Sequence, residues 1–517
     1  MYKIIDIFAG PGGLSEGFAS YLGKDRVPVF DVSLSIERDK FAHETLKLRA
    51  FYRQFKKNPP MEYYELLKGN INQTELYSHY PFEAAEASKR SWRVALGPEG
   101  ASISEIRAKV LDALGKGNKF VLIGGPPCQA YSLVGRSRNA GNPNYDPEKD
   151  ERQRLYIEYL QFLADFGPSV FVMENVKGLL SARLREQNIF KKILSDLRHP
   201  KEALSKEGRN VLGRVPANYN IFSLRDGKII NDENPRNAVI EAEHYGIPQA
   251  RHRVFLLGIR ADLGEINPTP LVRQEQIPIE MVISDLPPLR SGLSEGHDSP
   301  SLWENTLHSQ LTCPWVNFPQ NSLDSDKLHR LIEINLKKIV APPANTGKEY
   351  LDCDLHPGYN EEWYHDCKLP GVCNHSSRSH LETDLYRYFF AACYAKLYGI
   401  SPKLKDFPKV LLPDHSNVEK AIIGNNNFSD RFRVQLLNKP SKTIVSHISK
   451  DGHYYIHPDP LQCRSFTVRE AARIQTFPDN YYFCGPRTSQ FIQVGNAVPP
   501  LLARQIAEIV SNVLELV

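Results

Sequence analysis

A chain of 517 residues exceeds the size at which one hydrophobic core stops growing, so two domains or one heavily elaborated domain are expected. With 41% hydrophobic and 24% charged residues it has an ordinary globular composition, and eight scattered cysteines exclude a disulfide scaffold. A net charge of +4 permits a polyanionic partner without requiring one. The absence of an 18-residue apolar stretch or a signal pattern gives the expectation of a cytoplasmic protein with no membrane partner.

In chain order, Lys3 to Phe8 is predicted as a first strand, Ala9-Gly10-Pro11-Gly12-Gly13 as a tight turn, and Leu14 to Leu22 as a helix. Glycines at such a turn let backbone N–H groups approach a ligand at a helix amino terminus. A second apolar run, Val29 to Ile36, ends in Glu37, where strand-end carboxylates hold ribose hydroxyls. The alternative for Glu37 is a solvated strand end. Together these features suit an adenosyl or dinucleotide ligand, whereas the Lys-Ser/Thr ending of a phosphate-binding loop is missing. Gly69-Asn70-Ile71 offers an adenine contact, in a stretch from 45 to 118 that otherwise reads as helix and insertion.

The apolar run Phe120 to Ile123 stops at Gly124-Gly125-Pro126-Pro127, because proline has no ladder donor and a fixed φ. Cys128 is thereby set on a rigid loop at a strand's carboxyl end, where open α/β sheets bind ligands. A buried structural cysteine is the alternative. A glycine- and asparagine-rich loop follows, with Arg136 and Arg138 close to the cysteine. After a helix over 154–166, the strand Ser169 to Met173 ends in Glu174-Asn175-Val176. That carboxylate is either a site group or the cap of the next helix. Two more strands are predicted at Tyr219 to Leu224 and Arg253 to Ile259. Before the second, Arg251 and Arg253 fall on one face by the period of two, as a guanidinium fork or a solvated pair.

Phe8-Ala9-Gly10-Pro11-Gly12-Gly13, Gly125-Pro126-Pro127-Cys128-Gln129, Glu174-Asn175-Val176, Gln249-x-Arg251-x-Arg253, Arg469-Glu470-Ala471-Ala472-Arg473-Ile474-Gln475-x-Phe477-Pro478 and Gln493-Val494-Gly495-Asn496-Ala497-Val498-Pro499 occur in that order. This series resembles the ordered motifs of the DNA cytosine-5 methyltransferase family. The resemblance implies an α/β fold: a Rossmann-like, S-adenosylmethionine-dependent catalytic domain over 1–260, completed by 464–517, with a smaller loop-rich target-recognition domain over 261–463. It implies S-adenosylmethionine as cofactor, lined by Phe8, Gly10, Pro11, Gly13, Leu14, Glu37, Asn70, Ile71, Pro126 and Asn496. The family usually has aspartate where this chain has Asn70.

By the same likeness, Cys128 is the nucleophile, Glu174 meets the N3 and amino edge of the base, and Arg251 and Arg253 lie at the reacting base. Carbon 5 of cytosine becomes nucleophilic only after addition at C6, for which a thiolate is the best side chain. Stacked inside a duplex the ring is out of reach, so the base must be flipped out. Gln129, Ser132 and Arg136 on the loop, and Arg431, Arg433, His447 and Lys450 in a basic and aromatic stretch, are the expected DNA contacts.

Double-stranded DNA is the expected partner, with nucleoid association through it, in a restriction-modification or defence setting that would add a cognate endonuclease or other defence proteins. An RNA (tRNA) cytosine-5 methyltransferase and a catalytically silent DNA-binding module are the competing readings. Cys353, His356, His365, Cys367, Cys373, His375 and His380 carry enough soft donors for zinc, but their spacing matches no standard pairing, and no metal is assigned. At the carboxyl end, Thr467 and Glu470 make a capping box, and the residues after Pro499 a last helix with Leu502, Ile506, Ile509, Val510 and Val513 on one face, expected beside the first strand.

Overall fold

In a computed structural model of the protein, the described residues are 1–56, 58–117, 119–127, 151–184, 187–213, 215–231, 234–313, 315–316, 323–414, 418 and 429–517, with backbone only at 151–154, 184, 187 and 323–325. Cys128, Gln129, Ser132, Arg136 and Arg138 lie outside them. The chain divides into two compact units: the first comprises 1–59, 77–275 and 497–517, the second 60–76 and 276–496.

The first unit is built on an eight-stranded sheet. Its strands are β1 (Tyr2–Ile7), β2 (Phe30–Glu37), β3 (Ser91–Arg93), β4 (Phe120–Gly124), β5 (Val170–Val176), β6 (Tyr219–Phe222), β7 (Val239–Glu241) and β8 (His252–Arg260). The order is β3-β2-β1-β4-β5-β8-β6, with β7 pairing beside β8. Strands β1 to β5 are parallel, and β8 runs antiparallel to β5, β6 and β7. The doubly wound part thus has the Rossmann-like order expected, with one reversed strand. Every residue of β4 is buried, as are the last four of β1, which is why both read as unbroken apolar runs.

Helices α1 (Gly13–Ser20), α2 (Lys40–Gln54), α5 (Pro81–Arg90), α6 (Ile103–Leu114) and α7 (Glu151–Phe166) belong to this unit. Between them α3 (Met61–Lys68) and the first part of α4 (Gln73–His79) leave it and pack in the second unit. There the Tyr63 hydroxyl donates to Asn480 O at 3.0 Å, and the Tyr64 hydroxyl to Asp366 Oδ2 at 2.9 Å. Three residues make β3, too short to show a pattern in the sequence; it pairs with the end of β2, with Glu37 opposite Arg93.

The second unit has few regular strands, chiefly the hairpin β9 (Gly347–Asp352) with β10 (Gly371–Ser376), and the helices α8 (Glu382–Tyr398), α9 (Val468–Ile474) and α10 (Arg487–Asn496). Residues 464–496, which the motif series groups with the first 260, pack here with 276–463. The expected capping box closes α9: Thr467 Oγ1 accepts from Glu470 N, and Glu470 Oε2 accepts from Thr467 N at 2.7 Å.

Helix α11 (Pro500–Glu515) returns to the first unit and packs on α1, while the Tyr2 hydroxyl on β1 donates to Leu514 O at 3.1 Å. The α1–α11 contact is close. A Cβ on Gly17 would stand 2.4 Å from Ala503 Cβ and 2.5 Å from Pro500 O, the latter backbone that cannot rotate away. Gly17→Ala gains up to about 1 kcal/mol of helix propensity. Overpacking costs about 1–3 kcal/mol. The expected outcome is a net loss of stability, read as a lower denaturant midpoint at an unchanged m value; an unchanged or raised midpoint would contradict this packing.

Candidate active site

The glycine turn begins where β1 ends. Phe8 (φ 55°) and Gly10 (φ 57°) are both left-handed, Ala9 N donates to Ile36 O at 3.1 Å, and Gly12 (φ 93°) caps α1. A Cβ on Gly10 would meet nothing within 4 Å, whereas one on Gly13 would lie 2.1 Å from Val498 O. The turn is therefore open at Gly10 and closed by the chain's last segment at Gly13. Pro11 and Leu14 are buried in it. Glu37 Oε2 accepts from Gly10 N at 2.8 Å and Oε1 from Asp39 N at 2.7 Å, so the carboxylate is held at the turn's mouth. Burial raises its pKa, opposed by these backbone donors.

A carboxylate has about four acceptor sites, and two backbone bonds leave capacity for the two hydroxyls of a ribose. The open glycine, the strand-end acceptor and the half-buried Phe8 fit an adenosyl group. Asn70 and Ile71 lie in the turn between α3 and α4, in the second unit, where the Asn70 amide donates to Glu65 Oε2 at 2.6 Å. Asn496 is the exposed last residue of α10 and also belongs to that unit. Within the first unit the backbone next to Glu37 belongs to β3, whose following residue, Val94, donates N–H to Glu37 O at 3.1 Å.

On the other side of β1, strand β4 carries Gly124 (φ 159°), Gly125, Pro126 and Pro127 up to Cys128. Gly125 packs on β5: a Cβ there would be 2.9 Å from Glu174 Oε2, and the Asn175 amide donates to Pro126 O at 3.4 Å. The residues leading into Cys128 are thus fixed against Glu174. In the register Arg253 faces Val176 and Phe255 faces Glu174, so Arg253 and Glu174 are diagonal neighbours on one face. Their ion pair measures 3.1 Å from Nε to Oε1, with side-chain exposures of 15% and 14%. Glu174 therefore ends a strand and meets a guanidinium; it does not cap a helix.

Arg251 is 3% exposed and lines one small cavity with Arg253, Ala242, Phe255, Val498, Pro499 and Leu502. Both arginines line this cavity, although Arg251 precedes the strand, in a tight turn where its N–H donates to Gln249 O at 2.9 Å, so strand alternation does not account for its place; the beginning of α11 reaches them. The amino- and carboxyl-terminal segments both contribute to this edge of the sheet.

A family model for C-5 cytosine-specific DNA methylases matches residues 99–200 and 234–512. Type II methyltransferase M.Bpa9945I of Bacillus paralicheniformis is 33% identical over 99% of both chains. M.DdeI of Desulfomicrobium norvegicum is 26% identical over 98% of this chain and 88% of its own. M.AgeI of Thalassovita gelatinovora is 26% identical over 98% of each. The chain belongs to the C-5 cytosine-specific DNA methylase family. It is a DNA cytosine-5 methyltransferase, with the methyltransferase fold that the sheet order displays.

In this methylase the Cys/His series between 353 and 380 does not assemble. Among the described residues no group of three or more His, Cys, Asp or Glu is arranged to hold a metal ion. His356 is exposed and pairs with Glu361 at 3.0 Å, while His375 is buried between Thr467 Oγ1 and Pro287 O, both at 2.9 Å. Buried His380 lies 3.2 Å from Ser465 Oγ, and Cys373 is buried beside Leu67 O. Among the described residues no helix is long and apolar enough to cross a membrane. The basic and aromatic stretch does come together: Arg433, which pairs with Asp430, lies over the Tyr454 ring at 5.7 Å, with His447 on the same ring at 6.4 Å. Arg431 stands over Phe432 at 6.0 Å, and Lys450 is exposed.

One group at the turn carries no motif signal. Asp6 is completely buried in β1, opposite Ser35 and Ile123. Ser15 is its neighbour, but that hydroxyl donates to Gly12 O at 3.1 Å, leaving neither Asp6 oxygen a well-formed hydrogen bond. Burial lifts its pKa from 3.8 to about 7, opposed by Ser15 and Arg53 and reinforced by Glu37. The native state therefore holds a proton that the unfolded chain has released. The stability this contributes is complete below pH 4 and is lost as pH rises toward 7, at up to about 1.4 kcal/mol per pH unit. Asp6→Asn should remove that slope. Denaturant midpoints of parent and variant compared from pH 4 to 8 check it; parallel profiles would exclude a titrating Asp6.

Proposed function

We propose that the protein transfers a methyl group from S-adenosylmethionine to carbon 5 of a flipped-out cytosine in a specific duplex DNA sequence, through a covalent bond between Cys128 and C6. The relatives' names as type II methyltransferases support a restriction-modification setting, with the DNA held in the cytoplasm and a cognate endonuclease as partner. They also favour DNA over the tRNA alternative. The observation that carries the chemistry is the packing of Gly125 on Glu174, itself ion-paired to Arg253, two residues before Pro127 hands the chain to Cys128.

In this reading Phe8, Gly10, Pro11, Gly13, Leu14 and Pro126 hold the cofactor, Glu37 takes its ribose hydroxyls, and Asn496 is a further candidate contact. Asn70 and Ile71 are candidates for the adenine edge, as are Arg93 and Val94 at the end of β3. The bound cofactor supplies an electrophilic sulfonium methyl. The Cys128 thiolate, favoured by the positive potential of the arginines, adds to C6 and makes C5 enamine-like. Glu174 holds the N3 and amino edge of the ring, where charge develops on addition, and Arg253 fixes the direction of that carboxyl. Arg251 adds a second guanidinium in the same cavity. After transfer the C5 proton leaves to water and the cysteine departs. Target recognition falls to the loop-rich 261–463 region through Arg431, Arg433, His447 and Lys450, and the loop with Gln129, Ser132 and Arg136 contributes from the catalytic side.

Cys128→Ser should abolish methyl transfer to DNA while still binding S-adenosylmethionine. A 5-fluorocytosine duplex should form a denaturation-resistant complex with the parent and none with the variant. Transfer by the variant at the parental rate would sink the nucleophile assignment. Glu174→Gln should lower kcat by about 10²-fold or more, the usual worth of a positioned acid. Glu37→Ala should weaken S-adenosylmethionine binding about tenfold to a hundredfold, as expected for about 1.5–3 kcal/mol from charge-assisted hydrogen bonds. Calorimetric titration checks it, and an unchanged Kd would remove Glu37 from the cofactor site.

A further inference from the structure

The short turn 242–245 that follows β7 has a cavity on each side. Ala242 lines the one that holds Arg251 and Arg253. Glu241, His244 and Tyr245 line a second, together with Val239, Arg225 and Arg273, and no motif of the family series reaches the two arginines there. Three backbone segments frame it rigidly. The turn after β6 is closed by Gly227 N donating to Ser223 O at 3.0 Å and Arg225 N to Ser223 Oγ at 3.0 Å. Leu271 N donates to Leu224 O and Gln274 N to His244 O, each at 2.8 Å, which fixes Arg273 between two anchored neighbours. The Gln505 side chain on α11 donates to Tyr245 O at 2.9 Å.

The charges in this cavity do not cancel. Glu241 is its one carboxylate and lies 3.7 Å from His244, while Arg225 and Arg273, both exposed, form no ion pair with a described carboxylate. Tyr245 at its floor feels both guanidiniums. Two uncommitted guanidinium groups over a buried phenol suit an anion with several oxygens, and a phosphate matches the guanidinium fork. Position decides which phosphate. Strand β7 pairs with the first residues of β8, His252 opposite Glu241 and Arg253 opposite Ile240, so this cavity opens on the same sheet edge as Glu174.

We propose that Arg225, Arg273 and His244 form a seat for a backbone phosphate of the DNA that enters the catalytic edge. The seat rests on the DNA reading above and adds a contact outside the reacting base. It neutralises phosphate without reading sequence, and it fixes the strand beside the base that must leave the stack.

The test uses the full-length protein and a sheared, unmethylated plasmid duplex. Dissociation constants are measured over a salt series for the parent, for Arg225→Ala/Arg273→Ala, and for Lys116→Ala, an exposed charge before β4 at the opposite sheet edge. Each phosphate contact contributes about 0.9 to the slope of log K against log salt, so the double variant should lose about 1.8 from that slope and bind roughly tenfold more weakly at low salt. Lys116→Ala should keep the parental slope, and Arg225→Lys/Arg273→Lys should recover most of it, which a mere folding defect would not; melting temperatures are compared alongside. An unchanged slope in the double alanine variant overturns the proposal. If inorganic phosphate binds the parent but not that variant while the DNA slope stays the same, the cavity takes a free anion and the backbone assignment is overturned. If the slope changes as expected but the parent methylates no DNA, the seat stands and the catalytic reading fails.

Discussion

A carboxylate at the end of a buried strand must find a cation or stay in water, and in this protein the reversal of one strand meets that demand. In an all-parallel sheet only the carboxyl ends of strands reach the ligand edge. Because β8 runs against β5, its amino-terminal start arrives there instead, with Arg251 before it and Arg253 two places along from the facing residue. The diagonal pairing then brings guanidinium to carboxylate without either leaving the sheet. With both side chains about one-seventh exposed, the pair keeps enough hydration that its value lies in fixing direction more than in net stability. The glycine at 125 and the amide of Asn175 complete the arrangement, since a Cβ at 125 would stand 2.9 Å from Glu174 Oε2 and turn that carboxylate from its present direction.

The second unit solves a different problem. It has few ladders, so its loops are held by buried charge. Arg473 bridges Asp479 and Asp285, Arg469 donates to the carbonyls of Cys373, Pro478 and Tyr481, and Arg464 grips Glu470 with two bonds. Burial alone would raise the Glu470 carboxyl, yet Arg464 holds it well below the usual range. Such pairs are a poor source of net stability, but removing one partner strands the other at a cost of about 3–5 kcal/mol. They therefore tie a loop-rich unit to one conformation where hydrophobic packing would tolerate several.

This contrast explains which parts were legible in the sequence. The strands β1, β2, β4 and β5 announce themselves by unbroken apolar runs, and the glycine turn, Glu37 and the Thr467–Glu470 box depend on neighbours within a few tens of residues. Arg251 and Arg253 line one cavity, but a tight turn before the strand, and not the period of two, sets Arg251 there. Strand β3 is too short for periodicity and exists because β2 offers it an edge. The Cys/His series looked like a ligand set because spacing in sequence says nothing about hydrogen-bond partners: His375 is consumed by Thr467 and Pro287, residues 92 and 88 positions away. Asn70 stands on an insertion that packs in the other unit, which no local pattern could reveal. Asp6 is silent for the same reason, since its burial comes from two neighbouring strands.

The charge balance of the whole chain makes the placement of arginines decisive. With 64 basic and 60 acidic residues there is almost no net field to attract a polyanion, so attraction has to arise locally. Many of the arginines near the candidate site residues are already compensated, Arg253 by Glu174, Arg433 by Asp430, and Arg49 and Arg53 by Glu16 in α1. A compensated guanidinium orients its partner and projects less potential than an unpaired one. Arg225 and Arg273 are different: they sit at the reversed-strand edge with no described carboxylate paired to them. The same reversal that supplies the Glu174–Arg253 ion pair also brings the 242–245 turn, and with it these uncompensated charges, to the edge where Glu174 lies. The ion pair at Glu174 and the uncompensated charges beside it thus follow from one topological choice.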